Sequence, residues 1–436
     1  MLTRRQFLER SLQGSSLVAA SAVLPSFIAR TAMAAEPGGE NILVVVEMTG
    51  GNDGLNTVIP YGDDLYHKAR PTLHYSGDEV LKVDDHIGLH PSLSGLSNLL
   101  QQDSLAIVQG VGYPNPNRSH FESMDIWQSA DVKNKLRSGW LGRSLADIKT
   151  QPGHIAAFHL GSEQLPLAMK GSSIGVPSLN AEKPFGLSLG ATDEDDASRS
   201  TLGPEGKRND PYADHRTLVR SMAKPNSGGT QNSILQFVQQ TSIETYKTVD
   251  RLQEILSADF DLPEGEYEFK GGDYRQSRSG LPYQLRLVAR MIQSGFGTRI
   301  FYVSLAGFDT HSDQRQEHAN LLAQLGSAVE LFFSELDEDN QKRVLLMTYS
   351  EFGRRVHENG SKGTDHGAAG GMFVAGPSVK SGLLGEHPSL AADKLDSGDL
   401  AYGLDFRRVY ATLLDRWLDC DSRAVLMDKF EHVPLI

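Results

Sequence analysis

The sequence predicts an α/β fold in which helices cover both faces of a mostly parallel sheet. Three observations carry that prediction. Unbroken β-branched and apolar runs read as strands buried on both faces. Segments with helical spacing separate these runs, as crossovers between parallel strands require. Polar and ionisable residues collect just after the runs end, where sheets of this class bind ligands.

The chain opens on Thr3-Arg4-Arg5-Gln6-Phe7-Leu8, a Ser/Thr-Arg-Arg-x-Phe-Leu pattern. A weakly apolar stretch, 17–24, and the small-residue site Ala32-Met33-Ala34 follow it. A charged start, an apolar middle and an Ala-x-Ala end make residues 1–34 a twin-arginine export signal, read by the twin-arginine translocase. The apolar stretch is too short and too rich in Ser and Ala to span a bilayer. The expected mature chain begins near Ala35, is exported already folded, and resides in the periplasm or outside the cell without a stable membrane span.

The full chain of 436 residues has net charge -13, and residues 1–34 hold four arginines and one glutamate, so the remainder carries about -16. That balance excludes nucleic acid and anionic lipid as general partners. The single cysteine, Cys420, cannot form an internal disulfide. An exported chain without one relies on its core, and this chain is long enough for one large domain, placed at about 40–420.

The elements follow in order. Residues 41–47 form a strand running into Gly50-Gly51-Asn52-Asp53-Gly54. Residues 93–100 have helical spacing, and 105–111 form a second buried strand. A loop over 112–117 leads to a helix starting near Ser119, where Ser119 and Glu122 have the spacing of a capping box. Shorter strands fall at 154–160 and 165–170. Residues 186–232 are rich in Gly, Ser, Asp and Pro and read as a long flexible insertion. An amphipathic helix follows at 233–260, then a helix at 281–294 and a strand at 298–304. Helix 314–336, strand 343–348, late strand 371–375 and a last helix at 405–418, capped by Asp405, complete the pattern.

Five segments deliver chemistry to one end of this sheet. They carry Glu47 with Asn52-Asp53, then Asn117-Arg118-Ser119-His120, then Asp309-Thr310-His311, then Ser350-Glu351-Phe352-Gly353-Arg354-Arg355, and finally Gly363-Thr364-Asp365-His366-Gly367. Asp309-x-His311 with His366 and Glu351 is an oxygen-and-imidazole set that suits Zn, Mn or Fe better than Ca. Ser119, at a helix start, serves as an N-cap, as a nucleophile beside an anion, or as both. Arg118, Arg354 and Arg355 are candidates for clamping an oxyanion, with at least one of the three expected to be solvated at its loop end instead. The chain holds no Walker loop, His-Glu-x-x-His or Cys-x-x-Cys.

Longer motifs carry a resemblance. Gly50-Gly-Asn-Asp-Gly-Leu-Asn-Thr57 with Pro60-Tyr61, Arg118-Ser-His-Phe-Glu122 with Asp125-Ile-Trp127, Phe308-Asp-Thr-His311, Ser350-Glu-Phe-Gly-Arg354, Gly363-Thr-Asp-His-Gly367 and Asp405-Phe-Arg-Arg-Val-Tyr410 resemble the bacterial family called domain of unknown function 1501. Its members typically carry a twin-arginine signal, and the family is grouped with the alkaline phosphatase and sulfatase superfamily. The resemblance implies a three-layer α/β/α, alkaline phosphatase-like fold with a metal site at the strand ends. It also implies hydrolysis of phosphate or sulfate esters by a metal-activated nucleophile, which falls on Ser119. It assigns Asp309, His311 and His366 to a divalent cation such as Zn or Mn, with Glu351 and Asp53 completing or flanking the site. Arg118, His120 or Arg354 would hold the substrate's oxygens. The first-strand carboxylate is Glu47 or Asp53. Phe352 stands where the superfamily has a second metal-binding histidine, which favours one ion over two. No Cys-x-Pro-x-Arg occurs, so formylglycine chemistry is not implied. The rival expectation is a catalytically lapsed protein that binds a partner or a surface glycan, and a third is a structural envelope component.

Overall fold

The computed structural model describes residues 40–149, 155–161, 164–171, 175–179 and 280–436. The elements below lie in one compact unit, Glu36–Thr150, Ala156–Glu182 and Phe260–Ile436. The expected signal at 1–34, the insertion at 186–232 and the helix at 233–260 fall outside the described residues.

The strands in chain order are β1 (Ile42–Thr49), β2 (Val58–Ile59), β3 (Leu81–Lys82), β4 (Gly88–Leu89), β5 (Leu105–Gly112), β6 (Ala157–Leu160), β7 (Ser178–Leu179), β8 (Ile300–Ala306), β9 (Val344–Tyr349), β10 (Gly370–Ala375), β11 (Gly382–Leu384) and β12 (Leu404–Asp405). Among the described residues one nine-stranded sheet runs β11-β5-β10-β9-β1-β8-β6-β7, with β12 also on β5. A small sheet, β2-β4-β3, stands apart. β1 lies at the centre and pairs in parallel with both β8 and β9. Leu43 to Val46 on β1 are fully buried, which explains their unbroken apolar run. β10 is the exception to the parallel rule, since it pairs antiparallel with β5 and β9.

The helices are α1 (Asp64–Ala69), α2 (Ser94–Gln101), α3 (His120–Ser129), α4 (Trp140–Ser144), α5 (Gly280–Gln293), α6 (Gln314–Glu335), α7 (Glu338–Lys342), α8 (Phe406–Leu413) and α9 (Ser422–Leu426). Leu43 and Val45 face a core cluster that holds Trp127 of α3, Trp140 of α4, and Phe406 and Tyr410 of α8. Trp127 stacks on Phe406 and Trp140 on Tyr410, with ring centroids 4.3 and 4.1 Å apart. Val44 and Val46 point the other way along the strand and are as deeply buried, so that face is covered too. There α5 packs on β8 and on α6, and α6 packs on α2. The result is the expected α/β architecture, a mostly parallel sheet flanked by helices.

Two expectations are corrected. Residues 165–170 form no strand; Leu167–Met169 is a 3₁₀ turn with Ala168 and Met169 buried in the core. Pro166, its N-cap, has no N–H to give to a ladder. The last helix stops being α-helical at Leu413 and continues as one π turn, Leu414–Leu418. No described helix is long and apolar enough to cross a membrane.

Candidate metal centre

Parallel register brings the carboxyl ends of β8, β1 and β9 side by side. Gly50, just past β1, adopts φ +120°, and a Cβ there would stand 2.4 Å from the backbone nitrogen of Asp309. Only glycine allows that approach. Arg354 then ties the ends together from inside. It is buried, and it donates to the carbonyls of Gly51 (2.6 Å), Thr364 (2.8 Å), Phe308 (3.0 Å) and Gly50, and to Asp309 Oδ1 (2.8 Å). The oxyanion-holding place expected for Arg354 is therefore corrected, because its donors are spent on the loops that shape the site.

Three imidazoles converge on Asp309. Nε2 of His311 lies 3.0 Å, of His366 3.1 Å and of His120 3.4 Å from Asp309 Oδ1. The Nε2 atoms of His311 and His366 are 2.9 Å apart. Each ring turns its other nitrogen outward to an oxygen. His120 Nδ1 meets Glu351 Oε1 at 2.8 Å, His366 Nδ1 meets the Arg118 carbonyl at 2.9 Å, and His311 Nδ1 lies 3.4 Å from Asp365 Oδ1. A carbonyl oxygen only accepts, so His366 Nδ1 carries its hydrogen. In the neutral ring Nε2 is then a bare lone pair, and the same logic holds for His120 against a carboxylate.

Lone pairs aimed at one another and at a carboxylate repel unless positive charge lies among them. The donor set therefore fits a cation with nitrogen and oxygen ligands. His120 Nε2 is buried and has no hydrogen-bond partner, as a ligand atom would be without its ion. His120, Asp309 and His366 offer ligand atoms that all lie within 4.8 Å of one another. Partial burial pushes the Asp309 carboxyl up, but the hydrogen bond from Arg354, the Arg354 charge and the nearby imidazoles outweigh it and bring it down to about 2. Burial holds His366 below the ordinary histidine value.

The other candidates take different places. Glu351 is fully buried behind His120: its Oε1 also accepts the Gly50 N–H at 2.8 Å, and Ser350 Oγ donates to Oε2 at 3.0 Å. Asp53 faces Arg70 and Gln314, each at 2.5 Å, and the structure does not bring it into the imidazole group. Burial raises the Asp53 carboxyl, and the Arg70 charge and hydrogen bond more than reverse that. Glu47 is buried on β1, where Gln128 Nε2 (2.6 Å) and the Tyr349 hydroxyl (3.0 Å) donate to it, and burial raises its carboxyl.

Ser119 precedes α3 and is exposed. The expected capping box does not form. The Ser119 side chain caps nothing, while Asn117 Oδ1 accepts the Ser119 N–H at 2.7 Å and Asn117 Nδ2 donates to Glu122. Arg118 donates through Nε (2.8 Å) and Nη2 (2.5 Å) to Asp399 Oδ2. Phe352 is buried with its ring packed against both His120 and His366, at centroid distances of 4.9 and 4.8 Å, while those two rings lie 4.4 Å from each other. Sequence reasoning missed Asp399 and Arg70 altogether, and it gave His120 to the substrate where the geometry puts it in the imidazole group. The one available signal for His120 was its place at the start of the helix that follows β5.

A family model described as a protein of unknown function (DUF1501) matches residues 40–430. The chain belongs to the DUF1501 family. No curated protein matches it. Among solved structures, this DUF1501 chain is similar to Ps i-CgsB in complex with k-i-k-neocarrahexaose, at 10% identity, 90% of this chain, 73% of that chain and a TM-score of 0.36. It is also similar to the C-terminal periplasmic domain of EcEptC from Escherichia coli in complex with Zn, at 10% identity, 78% and 75% coverage and a TM-score of 0.33. Neither likeness bears on the chemistry of the DUF1501 site.

Proposed function

We propose that this DUF1501 protein is an exported, cation-dependent hydrolase of phosphate or sulfate esters, with Ser119 as its nucleophile. One observation carries the reading: three imidazoles point Nε2 at Asp309 Oδ1 while oxygen partners hold each Nδ1 outward. His120, Asp309, His311 and His366 would hold one divalent cation, Zn or Mn. When bound, that ion supplies positive charge for an oxyanion and acidifies a neighbouring hydroxyl.

The chain's own residues do the rest. Glu351, Asp365 and the Arg118 carbonyl keep the rings in the tautomer that binds. Arg354 keeps Asp309 ionised and in place. Among the described residues no hydrogen bond holds the Ser119 hydroxyl, which leaves it available for attack. It stands at the uncapped start of α3, where outward N–H groups and the helix dipole favour negative charge. The test is turnover of aryl phosphate and aryl sulfate esters by the wild type and by Ser119→Ala. Loss of at least about 100-fold with unchanged cation content supports the reading, and undiminished turnover contradicts it.

Phe352, packed against both His120 and His366, favours a second reading, a lapsed enzyme that binds a partner or glycan. There, neither ester turns over and capture survives Ser119→Ala.

A further inference from the structure

We infer that Arg355 and Arg118, set about Asp399, form the anion-binding half of the site and take a tetrahedral oxyanion, a phosphate or sulfate group. Neither Arg355 nor Asp399 has a part in the cation cluster. Asp399 is almost wholly buried, yet it pairs unevenly. Both Arg118 contacts fall on Oδ2, while Oδ1 is buried without a hydrogen-bond partner. The Arg355 Nε lies 3.8 Å from Oδ1, within ion-pair reach and beyond a hydrogen bond.

Among the described residues, the Arg355 guanidinium donates no hydrogen bond, and its side chain is 41% exposed. Its planar set of donors is thus unspent, in the form that grips a tetrahedral anion with two parallel bonds. Arg118 also has donors left, since Nη1 makes no contact there. Both arginines are fixed by backbone bonds to the segment that carries His366. The Arg118 carbonyl accepts from the His366 ring, and the Arg355 N–H donates to the Asp365 carbonyl at 3.0 Å. The two backbones are therefore tied beside His366, and both side chains reach one buried carboxylate, Asp399, as a positioning residue. Arg354, the neighbour in sequence, has no such freedom.

This inference rests on the hydrolase reading for its substrate class, but its binding test does not need turnover. Inorganic phosphate and, separately, inorganic sulfate are titrated calorimetrically into the full chain, Arg355→Ala, Arg355→Lys and His366→Ala. Binding by the wild type, weakened at least about tenfold in Arg355→Ala and less in Arg355→Lys, with unchanged cation content, supports the bracket. The tighter of the two anions names the ester class. The Arg355 effect is then measured again in the His366→Ala background. If it persists there, the bracket stands even where the cation reading fails. Wild-type affinity in Arg355→Ala, or no binding of either anion by the wild type at millimolar concentration, overturns it.

Discussion

Glu351 Oε1 accepts the Nδ1 hydrogen of His120 at 2.8 Å and the backbone N–H of Gly50 at the same distance. One buried carboxylate thereby fixes both the tautomer of a ligand histidine and the loop that leaves the central strand. Glu351→Gln keeps an acceptor in place but removes the charge that makes His120 a stronger donor. It should lower cation affinity about 10–100-fold with little change in thermal stability. Competition against a chromophoric chelator measures this, and equal affinity in the variant would show Glu351 to be structural alone.

The Asp53–Arg70 pair is a separate, buried structure. Arg70 also donates to Asn56 Oδ1 and to the carbonyls of Val356 and Arg355, so it cannot leave when its partner is lost. Asp53→Asn should destabilise the fold by about 3–5 kcal/mol, the cost of a buried charge without its counterion. Urea unfolding gives the number. The folded variant should retain the wild-type cation content, and its loss would place Asp53 in the centre after all.

His318 predicts acid lability. It is fully buried with Nε2 2.9 Å from Asn52 Oδ1, and burial, opposed by Asp53, holds it down at about 4. The unfolded value is about 6.5, so between those values the unfolded chain binds the proton and the folded chain does not. Stability from this group is full above about pH 6.5 and is lost as pH falls towards 4, by roughly 3 kcal/mol. His90, down at about 2 through burial, extends the loss further. Melting temperatures from pH 7 to 4 should fall less steeply in His318→Gln, and parallel curves would contradict the assignment.

Much of this was legible in the sequence because the central strands are buried on both faces and so read as unbroken apolar runs. The convergence of Asp309, His311 and His366 followed from their places after β8 and β9, the two strands that flank β1. What could not be read is side-chain direction. Glu351 could face an ion or the far nitrogen of a ligand, and only the path of the chain past Gly50 decides. Arg354 and Arg355 look equivalent in sequence, yet the bridge between Arg354 and His366 turns one inward and leaves the other exposed. The Ser119 capping box failed because Asn117, two residues earlier, took the same N–H.

The central claim is a cation held by His120, Asp309, His311 and His366. The direct measurement is elemental mass spectrometry on the full-length gene product, exported and purified without chelators, beside a His311→Ala/His366→Ala double variant. Close to one equivalent of Zn or Mn in the wild type and none in the folded variant is the predicted result. No metal in either protein, or equal metal in both, would contradict the claim.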